Sequence, residues 1–409
     1  MRFLMSTALS VLMMLMMFGT STAFAEQKII EAEGTYVMDS RLDETAASAT
    51  ARAREEAKRN AVEKVGVYVQ SYTQVINLEL TADEINTVAA QFIQIIDETN
   101  SVAVIRDNLL EFTVHIRALV DDSDPARLRS MMENRQQLEE MSARNRELQS
   151  KYDELKSQMD ELQRGYDSAS DAQREQIKRA AALNDERFKA MQELEAGNAH
   201  YLRGDYEQAL ASYNRAIELD GRSADAYDNR GLTYYHLNRL SDAIADFNRA
   251  LELNSSFAYA YNNRGLARQA LGNVNEALSD YSRALSINPK FVAALNNRAN
   301  TYFALKQYGN AETDLNAALA LDRNNAAAHN NLGSVYFATN RLDEALREYS
   351  EAIRLNSNYA EAYYNRGCVH YRRGNYSEAL NDAQRASSLE PNDPAFRDLI
   401  SRSNAKLGR

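Results

Sequence analysis

Tryptophan is absent from the 409 residues, and cysteine occurs once, as Cys368. A single thiol excludes an intrachain disulfide, and nothing around Cys368 assigns it a role. There are only 4 prolines, so long helices meet few breakers. Histidine is scarce. His200, His236, His329 and His370 show no paired metal-ligand spacing. Concentrated positive charge is missing as well: the formal charge is −11, which argues against nucleic acid as a partner. No glycine-rich phosphate loop and no Ser or Cys nucleophile motif is present. No catalytic residue, metal, cofactor or small-molecule substrate is therefore expected. Beyond residue 25 no stretch is apolar enough to cross a membrane.

What the chain does have is a period. From Ala190 to Asp393 one 34-residue unit is written six times without insertion or deletion. Its eighth position carries Gly197, Gly231, Gly265, Ala299, Gly333 and Gly367. Ala209, Ala243, Ala277, Ala311, Ala345 and Ala379 follow twelve residues later. Seven further on stand Ala216, Ala250, Ala284, Ala318, Ala352 and Ala386. Small residues at fixed positions let two helices per unit approach closely. Bulk at position 24 (Tyr213, Phe247, Tyr281, Leu315, Tyr349, but Ala383) is expected to fill the gaps between units. A period of this length predicts a solenoid of stacked helical pairs.

On these residues, and on Pro289 and Pro391 at the closing position, the units resemble tetratricopeptide repeats. The resemblance covers half the chain. It implies that first helices line a concave side, at positions 2, 5, 6, 9, 12 and 13 of each unit. Position 6 reads Glu195, Asn229, Asn263, Asn297, Asn331 and Asn365, and position 5 adds Asn262, Asn296 and Asn330. Helix propensity does not favour asparagine there. A primary amide has donors and an acceptor for the backbone of an extended peptide, and the array resembles the asparagine ladder of some peptide-binding members. With Asn198 and Asn300 at position 9, and Tyr235, Phe303 and Phe337 among the aromatics at position 12, these are the candidate peptide-binding residues. The same rows also suit packing between units. The charged carboxylate clamp of other members is not expected: at the matching positions Leu194, Asn229, Tyr259 and Asn263, with Asn198, the asparagines remain but the cations are missing.

A second row looks structural. Position 7 holds Arg230, Arg264, Arg298 and Arg366, and position 23 holds Asp246, Asp280, Asp314 and Asp382. Both are missing together in units one and five. The pattern predicts salt bridges within units, each contributing about 0.5 kcal/mol if half-exposed.

The residues before the repeats fall into four parts. Residues 1–25 read as a signal peptide: Arg2, an apolar run from Phe3 to Phe18, and Ala23-Phe24-Ala25 as a small-x-small site cleaved after Ala25. An uncleaved anchor is the rival reading. Export to the periplasm or cell envelope is the expectation. Residues 26–124 suit a small α+β domain. Strand alternation covers Lys28–Met38 and Leu110–Val120, and Ala49, Ala53, Ala57, Ala61, Val65 and Val69 form a helical stripe. Thr81 caps a further helix, Asp107-Asn108 suits a turn, and His115 lies on the solvent side. Residues 125–166 carry heptads through Met131, Leu138, Met141, Asn145, Leu148, Tyr152, Leu155, Met159, Leu162 and Tyr166. They predict a coiled-coil helix of about 50 Å with a buried Asn145 and a homo-oligomer, or else a seam that packs back on the chain. Residues 167–189 continue as a connecting helix. After the repeats, 394–409 supplies a capping helix through Phe396, Leu399 and Ile400.

The fold expected is thus mainly α: six helical pairs and a cap, preceded by a long helix and a small α+β domain. The function expected is a non-enzymatic scaffold that binds a segment of a cell-envelope protein. A self-associating spacer with no groove ligand is the alternative.

Overall fold

The computed structural model describes residues 28–75, 80–106, 108–120 and 135–408. The signal-peptide expectation at 1–25 and the boundary at Pro125 lie outside these. The described residues fall into two compact units, one of residues 28–40 and 45–120 and one of residues 41–44 and 135–408.

In the first unit, strand β1 (Lys28–Asp39) leads into helix α1 (Ala46–Val75) and helix α2 (Ala82–Gln91), then strands β2 (Ile93–Arg106) and β3 (Leu109–Val120). The sheet is antiparallel in the order β1-β3-β2. Its registers set Ile30 opposite Ala118 and Tyr36 opposite Phe112, so the apolar sets of both strands share one face. Helix α1 covers that face. Ala49, Ala53, Ala57, Ala61, Val65 and Val69 are at most 1% exposed, as the stripe requires. The helix comes close because β1 has Gly34 at the contact, where an added Cβ would stand 2.2 Å from the α1 backbone at Ala53 and Ala57. Thr81 caps α2 in a capping box with Glu84. His115 is exposed beside Glu33.

The second unit opens with α3 (Arg135–Tyr166) and α4 (Asp171–Arg203). The connecting helix and the first helix of the first repeat are one continuous element, α4, with no break near residue 189. It starts at the Ser170–Gln173 capping box and stops where Gly204 takes a left-handed conformation. The heptad seam of α3 meets α4 of the same chain. Tyr152, Leu155 and Met159 are buried. The Tyr152 ring packs edge-on against Phe188 at 5.5 Å. Asn145, expected at a core position, is instead exposed. The amide that fixes this helix pair is Asn184, which donates to the Leu155 carbonyl at 2.9 Å. Met131 and the side chains of Leu138 and Met141 lie outside the described ones.

The repeats then run as α5 (Tyr206–Leu219), α6 (Ala224–His236), α7 (Leu240–Leu253), α8 (Ala258–Ala270), α9 (Val274–Ile287), α10 (Val292–Ala304), α11 (Tyr308–Leu321), α12 (Ala326–Ala338), α13 (Leu342–Leu355), α14 (Ala360–Arg372) and α15 (Tyr376–Leu389). The last helix, α16 (Pro394–Leu407), buries Phe396 and Leu399 against the sixth pair.

Size complementarity holds each pair together. An added Cβ would lie 2.5 Å from the Tyr213 ring at Gly197, 2.8 Å from Phe247 at Gly231, 2.6 Å from Tyr281 at Gly265 and 2.7 Å from Tyr349 at Gly333. Unit four makes the opposite choice consistently, with Ala299 beside the smaller Leu315. These five large residues are at most 1% exposed, and burying each contributes about 2 kcal/mol. The tyrosine hydroxyls keep acceptors: Asn198 for Tyr213, Gln269 for Tyr281 and Ser334 for Tyr349. In unit six, Ala383 leaves the space under Gly367 to Leu399 of α16, at 3.2 Å.

One conformational constraint has no strong sequence signature. Position 15, the turn within each pair, is left-handed in all six units: Gly204, Asn238, Gly272, Lys306, Asn340 and Gly374. Glycine and asparagine tolerate this; lysine, with φ 59°, does not. Lys306→Gly is expected to stabilise the chain by about 1 kcal/mol, read as a raised midpoint in thermal or denaturant unfolding. An unchanged or lowered midpoint would show that Lys306 adopts the turn without strain.

Candidate peptide-binding face

The Arg and Asp rows form the expected bonds in bidentate geometry. Arg230 meets Asp246 at 2.7 Å through two nitrogens, and Arg264–Asp280, Arg298–Asp314 and Arg366–Asp382 repeat this at 2.7–3.0 Å. The remaining Nη1 reaches back to the preceding unit: Asn214, Asn248, Ser282 or Ser350. Each arginine therefore closes its own pair and fixes the step to its neighbour. The expectation of half-exposed, weakly stabilising pairs needs correction, because the Asp side chains are only 4–10% exposed. Such pairs belong to the buried class, where losing one partner is costly. Unit five, with Leu332 and Glu348 at these positions, uses His329 instead. Its Nδ1 lies 2.7 Å from a Glu348 carboxylate oxygen and its Nε2 lies 3.1 Å from the Arg323 carbonyl.

Both neighbours of that ring are acceptors, so the doubly protonated imidazolium suits the site. Burial pulls the His329 pKa down, but the bonds to Glu348 and Arg323 outweigh it and leave it above the usual histidine value. A raised folded pKa means stability that is full below the unfolded value, about 6.5. It is lost as pH climbs through the folded value. The difference in melting temperature between the wild type and His329→Gln should therefore be greatest in mildly acidic buffer and shrink with rising pH. A difference independent of pH would refute the charged pair.

First helices of successive pairs neighbour one another from α6 to α14. On this face the asparagines bond to each other. Asn229 Nδ2 donates to Asn198 Oδ1 at 2.9 Å, and the Tyr213 hydroxyl donates to the same oxygen. Asn297 donates to Asn262 at 2.9 Å, Asn262 to Asn263 at 3.4 Å, and Asn263 to the buried Asp228 carboxylate at 3.0 and 3.2 Å. Asn365 donates to Asn330 at 3.0 Å. Packing between units is thus one function of the row. Each rung still leaves amide donors and lone pairs over. Asn297, Asn331 and Asn365 are half-buried, Asn300 is exposed, and Asn229, Asn262, Asn263, Asn296 and Asn330 are buried. Tyr235, Phe303 and Phe337 are half-buried, part core and part surface. Phe303 packs on Tyr308, and the Arg372 guanidinium lies 5.2 Å over the Phe337 ring.

The first repeats of this face are already occupied. Leu148 of α3 joins the apolar cluster of Leu194, Ala209, Tyr213, Ala216 and Ala226. Lys151 forms a salt bridge with Asp225, and the Tyr152 hydroxyl donates to Glu195 at 3.3 Å. Between α3 and this face a cavity of about 30 Å³ remains, room for about one water, lined among others by Lys151, Asn198 and Asn229. Sequence reasoning placed Asn198 and Asn229 on a free groove. Of the two readings of the α3 seam, a contact between copies or packing back on the chain, the second accounts for this cover. Among the described residues no cluster of three or more His, Cys, Asp or Glu is placed to hold a metal.

These features define a solenoid of helical pairs with an inner amide row, a class of protein that acts through its surface. Comparison with known families gives the particular one. TPR repeat models match residues 197–238, 231–272, 299–340 and 333–374, and tetratricopeptide repeat models match 258–291 and 360–393. The chain is a tetratricopeptide repeat protein. It is similar to the Cut9–Hcn1 hetero-tetramer of the APC/C at 15% identity and TM-score 0.51, over 84% of this chain and 53% of that one. It is also similar to YrrB, a TPR protein with an unusual peptide-binding site, at 25% identity and TM-score 0.38, over 46% of this chain and 97% of that one. A third is PilW, a type IV pilus biogenesis factor, at 20% identity and TM-score 0.48, over 52% and 98%. No curated protein matches.

Proposed function

We propose that this protein is an exported, non-enzymatic scaffold whose first-helix face binds a segment of another cell-envelope protein. The repeat fold as such serves protein–protein interaction. The observation that carries the finer reading is the inner face itself. Its half-buried amides at Asn297, Asn331 and Asn365 retain hydrogen-bonding capacity beside the half-exposed rings of Phe303 and Phe337. An extended peptide offers the matching backbone donors and acceptors. The reading of residues 1–25 supports placement in the periplasm or envelope. The cover of the first repeats by α3 leaves the later repeats as the binding region.

Crosslinked capture from the native envelope tests this, comparing the wild type with a variant carrying Asn297, Asn300 and Asn331 all as Ala. Circular dichroism first checks that the variant folds. A specific partner lost by the variant supports the groove. Capture of the same set by both, or of the chain alone, favours the spacer.

A further inference from the structure

The amide rungs follow one rule, and one junction breaks it. Position 6 of each later unit donates to the unit before: Asn229 to Asn198, Asn263 to Asp228, Asn297 to Asn262, and Asn365 to Asn330. At the junction of units four and five the same residue types are present, as Asn296 and Asn331, but no rung forms. Oδ1 and Nδ2 of Asn296 are both buried without a partner, although the residue is only 5% exposed. The neighbouring Asn330 is fully buried, but its Oδ1 accepts from Asn365 and its amide faces the Tyr359 hydroxyl. Buried amides are almost always satisfied, so Asn296 calls for an explanation.

We infer that this junction is the recognition point of the inner face, and that an extended, uncharged peptide stretch supplies the missing partners there. The inference rests on the proposed peptide-binding role and deepens it. The waiting groups are the NH2 and the carbonyl of Asn296, with no net charge. A backbone or side-chain carboxamide, with its own donor and acceptor, complements them. A charged group would have to be desolvated beside neutral amides, at a cost they do not offset. Phe303 and Phe337 lie seven residues further along α10 and α12, on the same helix faces and about 10 Å away at the helical rise. An extended chain covers that distance in about three residues. The ligand therefore carries an apolar side chain about three residues from the amide contact. Asn331, position 6 of unit five, is half-buried and so the more accessible amide of this junction.

The test uses the full chain and a phage-displayed octapeptide library without charged residues. A selected peptide is synthesised with acetyl and amide ends and titrated calorimetrically against the wild type, Asn296→Leu, Asn331→Ala and Asn229→Ala. The expected result is a loss of about tenfold or more for the first two variants and none for Asn229→Ala, whose amide is committed to Asn198 beneath α3. Asn296→Leu should also melt above the wild type while binding less, because leucine removes an unpaired amide at similar volume. If Asn296→Leu melts lower, the amide is satisfied in the free protein, for instance by a water, and the inference fails. It also fails if Asn296→Leu and Asn331→Ala bind the peptide as the wild type does; a loss in Asn297→Ala or Asn365→Ala, titrated alongside, then leaves the groove reading standing. If no peptide is selected at all, the groove reading itself fails and carries this one with it.

Discussion

Asp280→Ala is expected to cost about 3–5 kcal/mol, the largest effect of any single polar change in the repeats. Asp280 is 3% exposed and holds two arginines at once, Arg264 through two bonds and Arg268 at 2.7 Å. Removing the carboxylate strands both guanidiniums where the surrounding helices exclude most water. Arg264 also bonds Asn248 in the preceding unit, so the damage reaches the step between units two and three. In a solenoid, stability is close to a sum of unit and interface terms, and weakening one interface can split the unfolding transition. The measurement is denaturant unfolding followed by circular dichroism, beside Asp246→Ala, which strands only Arg230. The Asp280 variant should lose more, and its transition should broaden. Losses below about 1 kcal/mol for both would mean that the pairs behave as exposed ones.

The second large effect is steric. Gly265→Ala puts a methyl 2.6 Å from the Tyr281 ring, a distance real contacts do not reach. The ring is fully buried and its hydroxyl is tied to Gln269 at 2.8 Å, so it has little freedom to yield. Overpacking of this kind costs about 1–3 kcal/mol. Unit four already contains the remedy, Ala299 with Leu315. Gly265→Ala combined with Tyr281→Leu should therefore recover part of the loss, and the coupling in the double-mutant cycle should be favourable. Additive losses would show that the glycine answers to something other than the ring.

Much of this was legible in the sequence because the period fixes phase. Once Gly265 and Ala284 are aligned with their copies, helix pairs, core positions and the Arg–Asp row follow from spacing alone. The stripe from Ala49 to Val69 was legible for the same reason. What escaped depended on geometry that one residue type does not encode. The left-handed turn at position 15 is held by glycine, asparagine and lysine alike, so no single residue announces it. The depth of Asp280 depends on α8 closing over it with Arg264 and Arg268. Heptads in α3 specify an apolar seam but not its partner, and α4 of the same chain satisfies Tyr152 and Met159 as well as a second copy could. The asparagine rows were visible, but which amides bond each other and which do not is set by side-chain geometry that residue type does not encode.

The contact of Leu399 with Gly367 has a consequence for how such an array could change in length. Repeats multiply in genes by tandem copying, and most units here could be copied in place because each brings its own aromatic for its own glycine. The sixth could not. Ala383 leaves a hollow that only α16 fills, so a copy of this unit set between two others would carry a void. The final pair is thus marked as final by its own composition. Lengthening the array by duplication is open to the inner units and closed to the last.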